Sequence, residues 1–118
     1  MPQHDKILII EDDFLIGACL EEFLISSGYE ALITTSCQEA QTVFRQEGDI
    51  AAAIIDLTLP DGDGFALGRV LSQEKPGLAI IYTTGNMMDA STLSPREKFA
   101  AKPYVYEDLV AQLESLLK

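Results

Sequence analysis

Ile50-Ala51-Ala52-Ala53-Ile54-Ile55-Asp56-Leu57-Thr58-Leu59-Pro60-Asp61-Gly62-Asp63-Gly64 is an apolar run that ends in a carboxylate and then a turn. The unbroken apolar residues from Ile50 to Ile55 read as a strand buried on both faces, as a parallel sheet requires. Asp56 stands at the carboxyl end of that strand. An unpaired buried charge is strongly unfavourable, so the fold must bring something to neutralise it.

On the N-terminal side, Lys6 to Ile10 is a short apolar strand stopped by Glu11-Asp12-Asp13. Phe14 to Ser27 switches to helical spacing, with Ile16, Leu20, Phe23, Leu24 and Ser27 on one face and Gly28 as the stop. Tyr29 to Thr34 is a second strand. Ser36-Cys37-Gln38-Glu39 has the form of a capping box and starts a helix that turns Ala40, Val43 and Phe44 inward and ends near Gly48. On the C-terminal side, Asp63-Gly64 opens a helix through about Gln73 that packs through Phe65, Leu67 or Gly68, and Leu71. Lys75-Pro76-Gly77 is a turn. Leu78 to Thr83 is a fourth strand, Phe99 to Ala101 a fifth, and Glu107 to Leu117 a last helix, burying Leu109, Val110, Leu113, Leu116 and Leu117. Between Asn86 and Lys98, Ser91, Thr92, Ser94 and Pro95 leave room for a turn or two of helix at most.

Strands and helices thus alternate. The expected class is α/β, a five-stranded parallel sheet doubly wound with helices by right-handed crossovers. The 118 residues fit one domain, expected over 1–118. A net charge of −11 argues against a nucleic-acid partner and against an anionic membrane surface. No apolar run has the length of a membrane span and the N-terminus lacks a signal-peptide core, so the expected location is cytoplasmic. Cys19 and Cys37 read as reduced, buried or half-buried residues, and His4 as a solvated tail residue.

In an open parallel sheet, ligands bind beyond the carboxyl ends of the strands. Those ends present Glu11-Asp12-Asp13, Asp56, Thr83-Thr84-Gly85 and Lys102-Pro103. The clustered carboxylates would repel one another. Mg²⁺ resolves the repulsion, because it takes oxygen ligands, commonly carboxylates plus waters and phosphate oxygens. Mg²⁺ and Lys102 together balance Glu11, Asp12 and Asp56 and leave a site suited to one further anion. No Ser-His pair, Cys-His pair or phosphate-binding loop is present. A carboxylate beside Mg²⁺ and a lysine is a competent nucleophile toward a phosphoryl group, giving an aspartyl phosphate. Thr84 can hydrogen-bond the same oxygens.

Four segments in this order, Ile-Leu-Ile-Ile-Glu-Asp-Asp, Ile-Ile-Asp-Leu-Thr-Leu-Pro-Asp-Gly-Asp-Gly, Tyr-Thr-Thr-Gly and Phe-Ala-Ala-Lys-Pro-Tyr, make the whole chain resemble a response-regulator receiver domain of two-component systems, of the single-domain, chemotaxis-regulator-like kind. The resemblance implies the flavodoxin-like strand order 2-1-3-4-5. It implies Asp56 as phosphoacceptor and Glu11 and Asp12 as the acidic pair, with Asp12 binding Mg²⁺ directly and Glu11 largely through water. It implies the Thr58 backbone carbonyl as a further metal ligand, Lys102 on the phosphoryl group, a cis Lys102-Pro103 bond, Thr84 as switch hydroxyl and Phe99 as switch aromatic. Simpler readings stand beside these: Asp12 or Asp13 as a helix cap, Thr83 or Thr84 as plain strand, Phe99 as core, Asp61 and Asp63 as turn and cap residues. Tyr104 is expected exposed or half-exposed beside Pro103, where it could belong to a partner surface.

The chain departs from the family in the spacing from Thr84 to Lys102, which implies a shortened or irregular fourth helix. It departs again at Val105, which cannot cap the last helix, at a cost of about 1 kcal/mol. The implied function is that of a phosphoacceptor in a two-component system or phosphorelay, which takes a phosphoryl group from a sensor histidine kinase or a histidine phosphotransfer protein. It would assist its own phosphorylation and dephosphorylation without being an enzyme on other substrates. With no output domain expected, output runs through a downstream protein target, unless the chain is part of a larger regulator. The alternatives are a Mg²⁺-dependent phosphohydrolase, which would want an acid where Thr58 stands, and a receiver-like interaction module that is never phosphorylated.

Overall fold

A computed structural model describes residues 5–85, 91 and 93–117. The expectations for His4 and for most of a fourth helix fall on residues outside that set. In chain order the elements are β1 (Lys6–Ile10), α1 (Phe14–Ser26), β2 (Glu30–Thr34), α2 (Cys37–Glu47), β3 (Ile50–Asp56), β4 (Thr58–Leu59), β5 (Gly62–Asp63), α3 (Gly64–Glu74), β6 (Ala79–Thr84), β7 (Glu97–Ala101) and α4 (Tyr106–Leu117). Five strands form one parallel sheet in the order β2-β1-β3-β6-β7. Leaving aside the two-residue strands β4 and β5, this is the expected 2-1-3-4-5.

The central strand shows why an unbroken apolar run is needed. Alternate side chains of β3 enter opposite cores: Ala53 and Ile55 pack with Leu8, Phe44, Leu71 and Tyr82 on one face, and Ala52 and Ile54 pack with Leu20, Leu24, Leu109 and Leu113 on the other. From Ala52 to Ile55 neither face meets water, so neither tolerates a polar residue there until the strand ends. The register then fixes the site. Ile10 lies beside Ile55, Asp56 beside Thr83, and Thr84 beside Ala101. The next residues along, Glu11 and Lys102, therefore meet Asp56 at one edge.

Several local expectations are met. Ser36 caps α2 by accepting from Glu39 N at 3.1 Å, and Gly48 ends that helix at φ 73°, a conformation that favours glycine. Others are corrected. Ser27 is exposed and serves as the C-cap of α1, whose buried face is Gly17, Leu20 and Leu24. Cys19, expected at least half-buried, is exposed on the outer side of α1, while Cys37 is half-buried and, like Cys19, has a free thiol. β7 starts at Glu97, two residues earlier than Phe99, because Glu97 pairs with Ile80. Residues 93–96 run as bend and turn into it. The segment after Leu57 is a small antiparallel hairpin, β4–β5, rather than a simple turn. No helix among the described residues is long and apolar enough to cross a membrane.

Candidate functional site

Glu11, Asp12 and Asp56 each place a carboxylate oxygen within 4.8 Å of the other two. Two of the three are withdrawn from water: Glu11 is 1% exposed and Asp56 4%, while Asp12 is exposed. Lys102 answers both buried acids. Its ammonium lies 2.7 Å from Glu11 Oε1 and 3.1 Å from Asp56 Oδ2. Burial alone would lower the lysine's pKa, but the bonds to Glu11 and Asp56 outweigh it and hold the group above its usual value. At Glu11 burial prevails instead. Its burial pushes the carboxyl up, more than Lys102 and the Asp13 N–H pull it down.

Each position follows from a local cause. Asp13 faces back onto its own helix and accepts from Leu15 N at 3.0 Å and Ile16 N at 3.2 Å. It is the α1 N-cap, one of the simpler readings offered for Asp12 or Asp13. Asp56 Oδ1 accepts from Thr58 N at 2.9 Å, which orients the carboxylate and ties it to the β4–β5 hairpin. That hairpin is held from outside. Asp61, expected as a turn or cap residue, accepts from Cys37 N at 2.8 Å and Gln38 N at 3.1 Å at the start of α2. The two N–H bonds hold its carboxyl below the usual range. Asp63 caps α3 through Phe65 N at 2.9 Å, as expected. Gly64 then passes so close to the strand end that an added Cβ would sit 2.7 Å from the Asp56 carbonyl oxygen.

The Lys102-Pro103 bond is cis, as the resemblance implies, and Lys102 N donates to the Thr84 carbonyl at 2.9 Å. Thr84 is buried and alternates along β6 onto the face of Tyr82. Phe99 packs on that same face. It lies 5.8 Å from Phe65 edge-on and 6.1 Å from Tyr82, so the two expected switch residues lie on one face of the sheet. Val105 is exposed and supplies only its carbonyl to Leu109 N, so its side chain leaves the start of α4 uncapped.

Tyr104 is half-exposed, as expected. Its hydroxyl goes beyond the expectation and points into the site, donating to Glu11 Oε1 at 3.1 Å and lying 3.5 Å from Thr83 Oγ1. Nothing in the local pattern around Lys102-Pro103 marks it.

The site thus collects oxygen donors of the type a hard divalent cation takes, a nucleophilic carboxylate and one cation placed to meet an incoming anion. Comparison with known proteins agrees. The family model for the response regulator receiver domain matches residues 7–114. The chain is 29% identical over 119 residues to the probable transcriptional regulator ycf27 of Pyropia yezoensis, covering 98% of this chain and 49% of that one. It is 32% identical over 84 residues to the sensor protein TorS of Escherichia coli K12, covering 71% of this chain and 9% of that one. A CheY-like response regulator receiver domain from Methanospirillum hungatei superposes with a TM-score of 0.87 at 25% identity, covering 98% of this chain and 94% of that one. The chain spans about half the length of the curated regulators it matches. By fold and by family match, this chain belongs to the response regulator receiver domains, the phosphoacceptor modules of two-component signal transduction.

Proposed function

We propose that Asp56 is the phosphoacceptor of this receiver and that Glu11, Asp12, Asp56 and the Thr58 backbone carbonyl hold Mg²⁺. The observation that carries the reading is the shared lysine: Lys102 bonds both buried acids at the strand ends, where two carboxylates would otherwise repel each other. Receiver domains bind Mg²⁺ at such an acidic pocket, and the three clustered carboxylates fit it in both donor type and spacing. The ion, when bound, offsets charge on the transferring phosphoryl oxygens.

The chain's own residues do the rest. Thr58 N–H orients Asp56 so that its other oxygen, Oδ2, is the one facing Lys102. A carboxylate oxygen of Asp56 attacks the phosphorus of a phosphohistidine, the P–N bond breaks, and the imidazole leaves with its electron pair. Lys102 turns toward the new phosphoryl oxygens, and Thr84 approaches them from the next strand. The added charge of roughly −1.5 to −2 then biases the Thr84–Phe99 face between two packings. The donor is a sensor histidine kinase or a histidine phosphotransfer protein, and the output is a protein target met in the cytoplasm. A sensor protein and a transcriptional regulator both contain stretches that match this chain, which supports a place in such a relay. Receiver domains are phosphoacceptors rather than enzymes on diffusible substrates, and Thr58 stands where a phosphohydrolase would want its acid.

The test is intact mass after incubation with a small phosphodonor and Mg²⁺. One phosphate adduct that requires Mg²⁺ and is lost in Asp56→Asn supports the reading. Sustained multiple turnover of phosphomonoesters without an accumulating adduct favours a hydrolase and overturns it.

A further inference from the structure

Tyr104 Oη is a donor in the site that the phosphoacceptor reading does not use. Glu11 is almost fully buried, and three groups hold it: Lys102 Nζ at 2.7 Å and Tyr104 Oη at 3.1 Å, both on Oε1, and Asp13 N at 3.2 Å on Oε2. Lys102 is shared with Asp56. Once Asp56 carries a phosphoryl group, the ammonium is drawn to the larger charge, and Glu11 loses its strongest partner inside the protein. Asp13 N stays but reaches only Oε2, so Oε1 would be left buried without a donor, which is strongly disfavoured, unless Tyr104 Oη remains on it.

We propose that Tyr104 is a positioning residue for phosphoryl transfer, its hydroxyl holding the buried Glu11 carboxylate while Lys102 turns from Glu11 to the phosphoryl group. The proposal rests on Asp56 being the phosphoacceptor. The hydroxyl is fixed in place from below. The Tyr104 ring packs 6.1 Å from Tyr106, and Tyr106 stacks on Phe23 of α1 at 5.0 Å with the planes 22° apart. This aromatic column spans α1 and the start of α4, so the hydroxyl holds its position when the lysine moves. Thr83 Oγ1, at 3.5 Å, is at the limit of a hydrogen bond and gives the hydroxyl a second neighbour on β6. Tyr104 thereby acts on the transfer through Glu11, not on the phosphoryl group itself.

Tyr104→Phe keeps the ring and its packing and deletes only the oxygen. Glu11→Asp keeps the charge but withdraws the carboxylate from Tyr104. The experiment measures initial rates of adduct formation from a small phosphodonor with saturating Mg²⁺ for the wild type, the two single variants and the double variant, with melting midpoints for each. The expected result is a rate about fivefold lower in Tyr104→Phe, the loss of one net hydrogen bond, with a midpoint within about 2 °C of wild type. In the Glu11→Asp background the same change lowers the rate less than about twofold, because the contact is already gone. A Tyr104→Phe rate equal to wild type overturns the proposal. So does equal slowing in both backgrounds, which would place the effect in the ring packing. A wild type that forms no adduct overturns the phosphoacceptor reading itself and the proposal with it. Should Glu11→Asp give no adduct, the Tyr104 hydroxyl proton decides by NMR. A slowly exchanging resonance that persists in the phosphorylated wild type and vanishes in Glu11→Asp supports the proposal. Its loss on phosphorylation, or its survival in Glu11→Asp, overturns it.

Discussion

Lys102 and Asp56 stand 46 positions apart in the chain and 3.1 Å apart in space. The lysine neutralises Asp56 and Glu11 together, so removing it leaves two buried carboxylates facing each other. Lys102→Ala is expected to lower unfolding free energy by about 2 kcal/mol without metal. That lies below the roughly 3–5 kcal/mol for enclosed pairs because the lysine side chain keeps 22% of its exposure. Mg²⁺ should restore much of the loss. Denaturant unfolding with and without Mg²⁺ checks this, and a loss that Mg²⁺ leaves unchanged would count against a shared cation site.

Asp12 and Asp13 are neighbours with separate tasks. Asp13 caps α1, so Asp13→Ala should cost about 1 kcal/mol of stability and leave Mg²⁺ affinity nearly intact. Asp12→Asn should do the reverse and weaken Mg²⁺ binding at least tenfold while stability is kept. Calorimetric titration with Mg²⁺ and thermal melts of both variants separate the two roles. Swapped phenotypes would reverse the assignment.

Gly64 passes against the end of β3. An alanine Cβ there would lie 2.7 Å from the Asp56 carbonyl oxygen, 2.9 Å from Leu57 Cα and 3.1 Å from Ile55 Cγ2, two of them backbone atoms that cannot swing aside. Gly64→Ala should cost on the order of 2–3 kcal/mol and slow phosphorylation, because the displaced backbone carries the acceptor. Melting and adduct rate should fall together. An unshifted melting midpoint would contradict the packing account.

How far the sequence exposes this arrangement depends on the residue. Glu11, Asp56 and Lys102 are legible because each ends an apolar strand, and a parallel sheet gathers strand carboxyl ends at one edge. The cis Lys102-Pro103 bond and the grouping of Thr84 with Phe99 follow from the family resemblance. Tyr104 was not legible as a site residue, because its acceptor Glu11 lies 93 positions away and no periodicity links them. Asp61 reaches back 24 positions to cap α2, beyond any local capping pattern. The α1 face was blurred because the helix is apolar nearly all round, with Phe14 70% and Leu15 72% exposed. Its inner side is set by tertiary packing rather than by spacing, which is why spacing alone puts Ser27 on the wrong side. Strands of two residues, β4 and β5, are too short to show alternation at all.

The buried phenols give a prediction at high pH. Burial raises the pKa of Tyr82, with its bond to Glu97 adding to the effect, and burial is also the largest cause of the rise at Tyr104 and Tyr29. A group whose folded pKa lies above its unfolded value contributes stability that is complete below the unfolded value, about 10 for tyrosine. That stability is lost as pH rises through the folded value. Stability should therefore decline above about pH 10. The phenolate absorbance of the folded protein should also lag that of the protein in denaturant. Coincident titration curves would contradict the burial of these rings.

The central claim is that Asp56 itself receives the phosphoryl group. Borohydride reduces an aspartyl phosphate to homoserine, so reduction of the phosphorylated protein followed by peptide mapping reads the acceptor directly. The account predicts homoserine at position 56 and at neither 12 nor 13, and only when Mg²⁺ was present during phosphorylation. Homoserine at another aspartate, or a phosphate adduct that yields none, would contradict it.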